Sequence, residues 1–150
     1  MKKIILIIFP IILLGCGYVP IFKNLNNLNF SIIIEEASGN REINNILRSK
    51  LNNYSNKNLN NKYKITLNST YQKTIVAKDI TGNATEYKLT VVSTFKISSD
   101  KFEKQLKYSE SFNMQSQNNN LEEQDYEKTI KNSLANTIVK KLILQLSQIQ

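Results

Sequence analysis

Three consecutive stretches between Tyr63 and Met114 alternate apolar and polar residues with a period of two, a pattern that a β-strand converts into one apolar face. The apolar positions are Tyr63, Ile65, Leu67, Tyr71 and Ile75, then Tyr87, Leu89, Val91, Phe95 and Ile97, then Phe102, Leu106, Tyr108, Phe112 and Met114. Each run is longer than the usual strand of about 5 to 6 residues. The links, Asp79 to Gly82 and Ser98 to Lys101, are short enough for antiparallel hairpins, so the three strands are expected to form a meander. Ser69, Lys73, Ser93, Lys104 and Glu110 interrupt the apolar faces. The ends of these long strands are therefore expected to project past the core.

A fourth strand precedes them. Leu28, Phe30, Ile32 and Ile34 alternate with Asn29, Ser31 and Ile33, and the apolar Ile33 implies partial cover on both faces. Ala37-Ser38-Gly39-Asn40 is expected to break this strand, and Ser38 or Asn40 can cap the helix that follows. Ile43, Ile46, Leu47, Leu51 and Tyr54 then recur at helical spacing, a stripe that belongs against a core, before a polar loop from Asn52 to Asn61. After a polar break at Gln115 to Asn120, the residues Tyr126, Ile130, Leu134, Ile138, Leu142 and Leu146 recur every four positions. Glu122, Glu123, Asp125 and Glu127 stand in the first turns of this second helix, with Lys140 and Lys141 nearer its end, as a helix dipole favours. The order β-α-β-β-β-α predicts an α+β two-layer sandwich, a four-stranded, mostly antiparallel sheet with two helices on one face. The first strand and its crossover helix join the meander by a right-handed connection.

The first fifteen residues stand apart from this domain. Lys2 and Lys3 precede an apolar run from Ile4 to Leu14, interrupted only by Pro10, and that run is shorter than the roughly 20 residues of a membrane span. Leu13-Leu14-Gly15-Cys16 resembles the lipobox of bacterial lipoproteins, in which the cysteine becomes the new, lipid-modified N-terminus. An ordinary signal peptide with an incidental cysteine is the other reading. Cys16 is the only cysteine, so without acylation an exported protein would keep a thiol with no disulfide partner. The predicted division is a signal peptide at 1–15, a lipid-anchored tether at 16–27 and one domain at 28–150. No cofactor is expected beyond the acyl and diacylglycerol lipid on Cys16, which together hold a protein stably where a single chain binds marginally. Gly17, rather than aspartate, follows the cysteine, and this favours sorting to the outer membrane.

The chain has no histidine, which removes Ser-His-Asp and Cys-His catalysis and the usual zinc ligand sets. The adjacent carboxylates Glu35-Glu36 and Glu122-Glu123 read as solvated groups at element boundaries rather than a glycosidase pair. No catalytic or metal residues are expected. Loss of Lys2 and Lys3 leaves 18 of the 20 basic residues against 12 acidic ones, a formal charge of +6. Such a balance suits anionic headgroups, phosphorylated glycolipid or an acidic partner, and not nucleic acid in an exported protein.

Several short runs, in order, resemble one family, the lipopolysaccharide-assembly lipoprotein LptE. They are Leu14-Gly15-Cys16-Gly17-Tyr18; Ala77-Lys78-Asp79 leading through Gly82-Asn83-Ala84-Thr85-Glu86-Tyr87 into a strand; and Glu123-Gln124-Asp125 opening a final helix that carries Ala135 and Lys140-Lys141-Leu142. The resemblance implies a non-enzymatic protein, anchored in the outer membrane and facing the periplasm. It further implies a place within the lumen of the β-barrel LptD, where such a protein supports barrel assembly and lipopolysaccharide delivery to the outer leaflet. Some members carry basic residues in the second hairpin loop and just before the last helix, associated with binding lipopolysaccharide. The corresponding positions here are Ile80 and Asn120, and Lys78 and Lys88 flank the loop as substitutes. An auxiliary lipoprotein of a lipid-transport ABC system is the alternative, marked by an exposed apolar groove for a lipid tail. A small periplasmic hydrolase lacks both nucleophile and base.

Overall fold

A computed structural model describes residues 30–56, 58–59, 61–100 and 102–149. The signal segment, Cys16 and the tether to residue 27 lie outside the described residues. The elements are β1 (Phe30–Gly39), α1 (Arg41–Leu51), a 3-10 turn (Asn52–Tyr54), β2 (Asn61–Lys78), β3 (Ala84–Ser98), β4 (Glu103–Gln115) and α2 (Asn120–Ser147). The sheet order is β1-β2-β3-β4, with β1 parallel to β2 and the other two pairs antiparallel. The predicted α+β sandwich is the fold of this chain.

The period of two builds the core directly. Ile65 faces Ile97 and Leu67 faces Phe95 across the β2–β3 pair, and Phe95 in turn faces Leu106 of β4. These rows bury one sheet face under the two helices, from which Ile43, Leu47 and Leu51 of α1 and Leu134, Ile138, Leu142 and Leu146 of α2 descend. At the base of the sheet, where β1 and β2 begin, the rings of Phe30, Tyr63 and Phe102 stack in sequence with centroids 5.0 and 5.7 Å apart. The opposite sheet face carries mainly hydroxyls, amides and lysines and is uncovered by either helix.

Four expectations are corrected. Ala37 to Gly39 does not break β1, because a bulge between Ile34 and Glu36 absorbs one residue and the strand continues to Gly39 opposite Ser69. Glu35 and Glu36 therefore stand within a strand, and Glu35 pairs with Lys64 at 3.0 Å. Asn40 is the cap, its Oδ1 accepting from the Ile43 N–H at 3.0 Å. Ser69 and Ser93 are not at projecting ends but face each other in the middle of the buried sheet face. Ser69 Oγ donates to Asn44 Oδ1 at 2.6 Å, and Asn44 Nδ2 donates to the Ser38 carbonyl at 2.8 Å, so a polar seam runs under the start of α1. The strands do outrun the core, but there it is Ile75 and Phe112, expected inside, that stand about half exposed. Tyr126 of the α2 stripe is likewise 39% exposed.

Gly39 has φ +89°, and a Cβ there would collide with the Ser69 carbonyl oxygen. That close approach lets the Asn40 N–H donate to the same oxygen at 2.8 Å, which turns the chain from β1 into α1.

Candidate functional site

The tip of the sheet, the end formed by the β2–β3 hairpin, is held by a set of charges beneath the first turns of α2. Lys73 of β2 reaches Glu123 at 2.8 Å and Glu127 at 2.9 Å, while the Tyr71 hydroxyl donates to Glu127 at 2.8 Å. Lys131 joins Glu127 at 2.8 Å to Glu42 of α1 at 2.9 Å. The two ammonium groups also lie over aromatic rings, Lys73 over Tyr87 at 4.1 Å and Lys131 over Tyr71 at 4.4 Å. Burial alone would raise the Glu127 pKa, but hydrogen bonds from Lys131, Lys73 and Tyr71 hold it down at about 2. Burial would lower Lys73 and Lys131, yet their carboxylate partners push both upward. Tyr71 is raised by burial and then by its bond to Glu127. Glu127, Lys73, Lys131 and Tyr71 thus each keep one protonation state near neutral pH, and the cluster fastens α2 to β2 and α1 rather than moving protons.

Past this fastening the β2–β3 hairpin continues alone. Asp79 closes its turn, accepting from Thr81 N–H at 2.8 Å, Thr81 Oγ1 at 2.7 Å and Asn83 N–H at 2.9 Å, and these bonds lower its pKa. Gly82 supplies the positive φ, +89°, that the turn requires. Ile75, Val76 and the fully exposed Ile80 give the tip an apolar surface.

Lys78 and Lys88 are both exposed on this hairpin, and neither has a carboxylate partner among the described residues. Lys88 faces Thr74 in register, four positions before Lys78, so the two stand about 13 Å apart along the strand and are not brought together. Ile80 occupies the turn and Asn120 the first position of α2. The tip therefore combines separate cations with apolar side chains, the composition that suits an amphiphile with anionic groups. The adjacent apolar pair Ile75-Val76, which interrupts strict alternation, was the sequence signal for this surface. Among the described residues no group of three or more His, Cys, Asp or Glu could hold a metal, and no helix is long and apolar enough to cross a membrane.

The fold recurs in solved structures. Rare lipoprotein B from Shewanella oneidensis is similar with a TM-score of 0.54 at 15% identity, over 80% of this chain and 97% of that one. A minor lipoprotein from Acinetobacter baumannii gives 0.59 at 16% identity over 81% and 92%. Lipoprotein B from Nitrosomonas europaea gives 0.52 at 13% identity over 80% and 84%. No sequence among the curated proteins matches the chain. The model of the LptE family, described as lipopolysaccharide-assembly, matches residues 18–146, which is nearly everything that follows Cys16. On that match the chain belongs to the LptE family of lipopolysaccharide-assembly proteins.

Proposed function

We propose that this protein is an outer-membrane lipoprotein, acylated on Cys16, that occupies the lumen of an LptD-type β-barrel, supports its assembly and assists lipopolysaccharide delivery to the outer leaflet. The observation that carries the reading is the family match from residue 18 to 146, beginning two residues after the lipobox cysteine. The role is non-enzymatic. The geometry agrees with it, because a large barrel has a polar, water-lined interior, and a slab-like domain with one uncovered hydroxyl- and amide-rich sheet face is a chemically suitable filling for one. The acyl anchor raises the local concentration of the domain beside the barrel without any added protein contact.

Within this reading Lys78 and Lys88 contact lipopolysaccharide phosphates while Ile75, Val76 and Ile80 lie against its apolar part. The auxiliary-lipoprotein alternative called for an apolar groove. Among the described residues, surface grooves are lined by Asn113, Gln115, Gln117 and Tyr126, by Lys96, Glu103, Lys104 and Gln105, and by Asn45, Ile46, Ser49, Lys50 and Asn132. The test is co-purification from native membranes: a tagged copy should bring down a large β-barrel in one-to-one ratio. Recovery of the acylated protein with no barrel would overturn the proposal.

A further inference from the structure

The uncovered sheet face is not uniform along its length. At the base, where β1 begins and the chain leads back toward Cys16, it presents Lys62 and Lys64 of β2, Lys96 of β3 and Lys107 of β4, all exposed. Their register makes them neighbours: Lys96 is opposite Thr66, Lys107 is opposite Thr94, and Thr94 is opposite Asn68. The four ammonium groups therefore occupy successive rows of adjoining strands, with strands about 4.8 Å apart. Lys64 is engaged by Glu35, but Lys62, Lys96 and Lys107 have no carboxylate partner among the described residues. Glu36, opposite Thr66 in the same row as Lys96, and Glu103, opposite Ser98, are the other acids on this part of the face. Ile33 of β1, paired with Lys64 and 39% exposed, adds an apolar side chain to the patch. Farther along the same face toward the tip, Asn68, Thr70, Gln72 and Thr74 follow on β2, and the next lysine is Lys88, opposite Thr74.

We propose that this lysine patch with Ile33 docks on the anionic headgroups of the membrane leaflet that holds the Cys16 anchor. The occupant follows from chemistry and position. Phe30 lies fourteen residue steps from Cys16, which bounds the base to about 50 Å from the anchored cysteine even at full extension. The long β2 strand, 18 residues and about 60 Å, carries the tip away from that end. Lysine stems lie along an interface while their ammonium groups reach phosphates, and an exposed isoleucine among them enters the headgroup boundary. The docking holds the base of the domain at the leaflet. The inference rests on the lipoprotein reading of Cys16, and the experiment separates the two.

The acylated protein is purified from membranes and reconstituted in vesicles of phosphatidylcholine, with or without a third of phosphatidylglycerol. Its lysines are then labelled with a water-soluble amine-reactive reagent. Expected is labelling slowed severalfold at Lys62, Lys96 and Lys107 in the anionic vesicles alone, reversed by high salt, with Lys78 and Lys88 unaffected. Lys96→Glu with Lys107→Glu should abolish the slowing at Lys62, since each lysine contributes roughly fivefold to binding an anionic surface. Equal labelling in both vesicle types overturns the proposal, as does slowing that appears only when a barrel protein is added. Flotation with neutral vesicles reads the anchor separately. A protein that fails to float with them lacks the acyl group, and salt-sensitive capture by anionic vesicles alone, lost in the double variant, then still supports the patch, whereas no capture overturns it.

Discussion

Glu127 is held by Tyr71, Lys73 and Lys131, so a change at this one carboxylate reaches β2 and, through Lys131 and Glu42, α1. Replacing it by glutamine keeps its size but removes the charge that both lysines face, and should cost about 2 kcal/mol of stability. The pH dependence has a definite sign. Glu127 has a folded pKa of about 2 against an ordinary 4.5, so its contribution is complete above about pH 4.5 and fades as the pH falls toward 2. Thermal unfolding of the native protein should therefore fall over that window more steeply than that of Glu127→Gln; parallel curves would mean the cluster is not formed in solution. The two positive-φ glycines make a second comparison. Gly82→Ala meets open space and should cost about 1 kcal/mol, whereas Gly39→Ala adds a collision with Ser69 and should cost well over that in chemical denaturation. At the tip, Lys78→Glu with Lys88→Glu should weaken lipopolysaccharide binding by an order of magnitude while leaving the melting temperature unchanged, as charge removal at exposed sites usually does. Unchanged binding would remove the two lysines from the site and leave the barrel role standing.

Among the elements, α2 carries the largest share of the cover over the sheet. Leu134 is 7% exposed beneath it, and Leu134→Asp would bury a carboxylate with no partner, so a loss of several kcal/mol is expected in a denaturant titration. Near-native stability would mean that this helix does not pack as described. The alternation in β2, β3 and β4 and the four-residue stripe of α2 were readable in the sequence because each is a local repeat imposed by one interface. Ile75, Phe112 and Tyr126 obey the same repeats yet stand in solvent. Periodicity reports the direction in which a side chain points, and the place where the cover ends is set by the packing of a different element. For the same reason the bulge between Ile34 and Glu36 and the Ser69–Ser93 pair were not readable, since each depends on a register between segments distant in the chain. The exposure of Lys78 and Lys88 could be read from their flanking turn. The fastening of Lys73 to Glu123 and Glu127 could not, because nothing in a sequence distinguishes a lysine with partners 50 residues away from a solvated one.

For the whole molecule, the proposed place inside a barrel predicts what proteolysis sees. The tip between Asp79 and Tyr87 is exposed on the isolated protein and should be cleaved early there, but be resistant in the complex. Depletion in the native host should leave the barrel misassembled and lipopolysaccharide missing from the cell surface; normal barrel assembly would end the plug hypothesis. The pairing of β1 with β2 has a mechanical meaning beyond these assays. The two strands run parallel over nine paired positions from Phe30 to Gly39, and the chain enters β1 at the base while β2 climbs to the tip. With the tip gripped by a barrel and the base tethered to lipid, tension would pull β1 lengthwise along its neighbour. Such a load falls on all the ladder bonds at once instead of opening them one after another, so the strand closest to the anchor sits in the geometry that best resists being drawn out when the membrane moves.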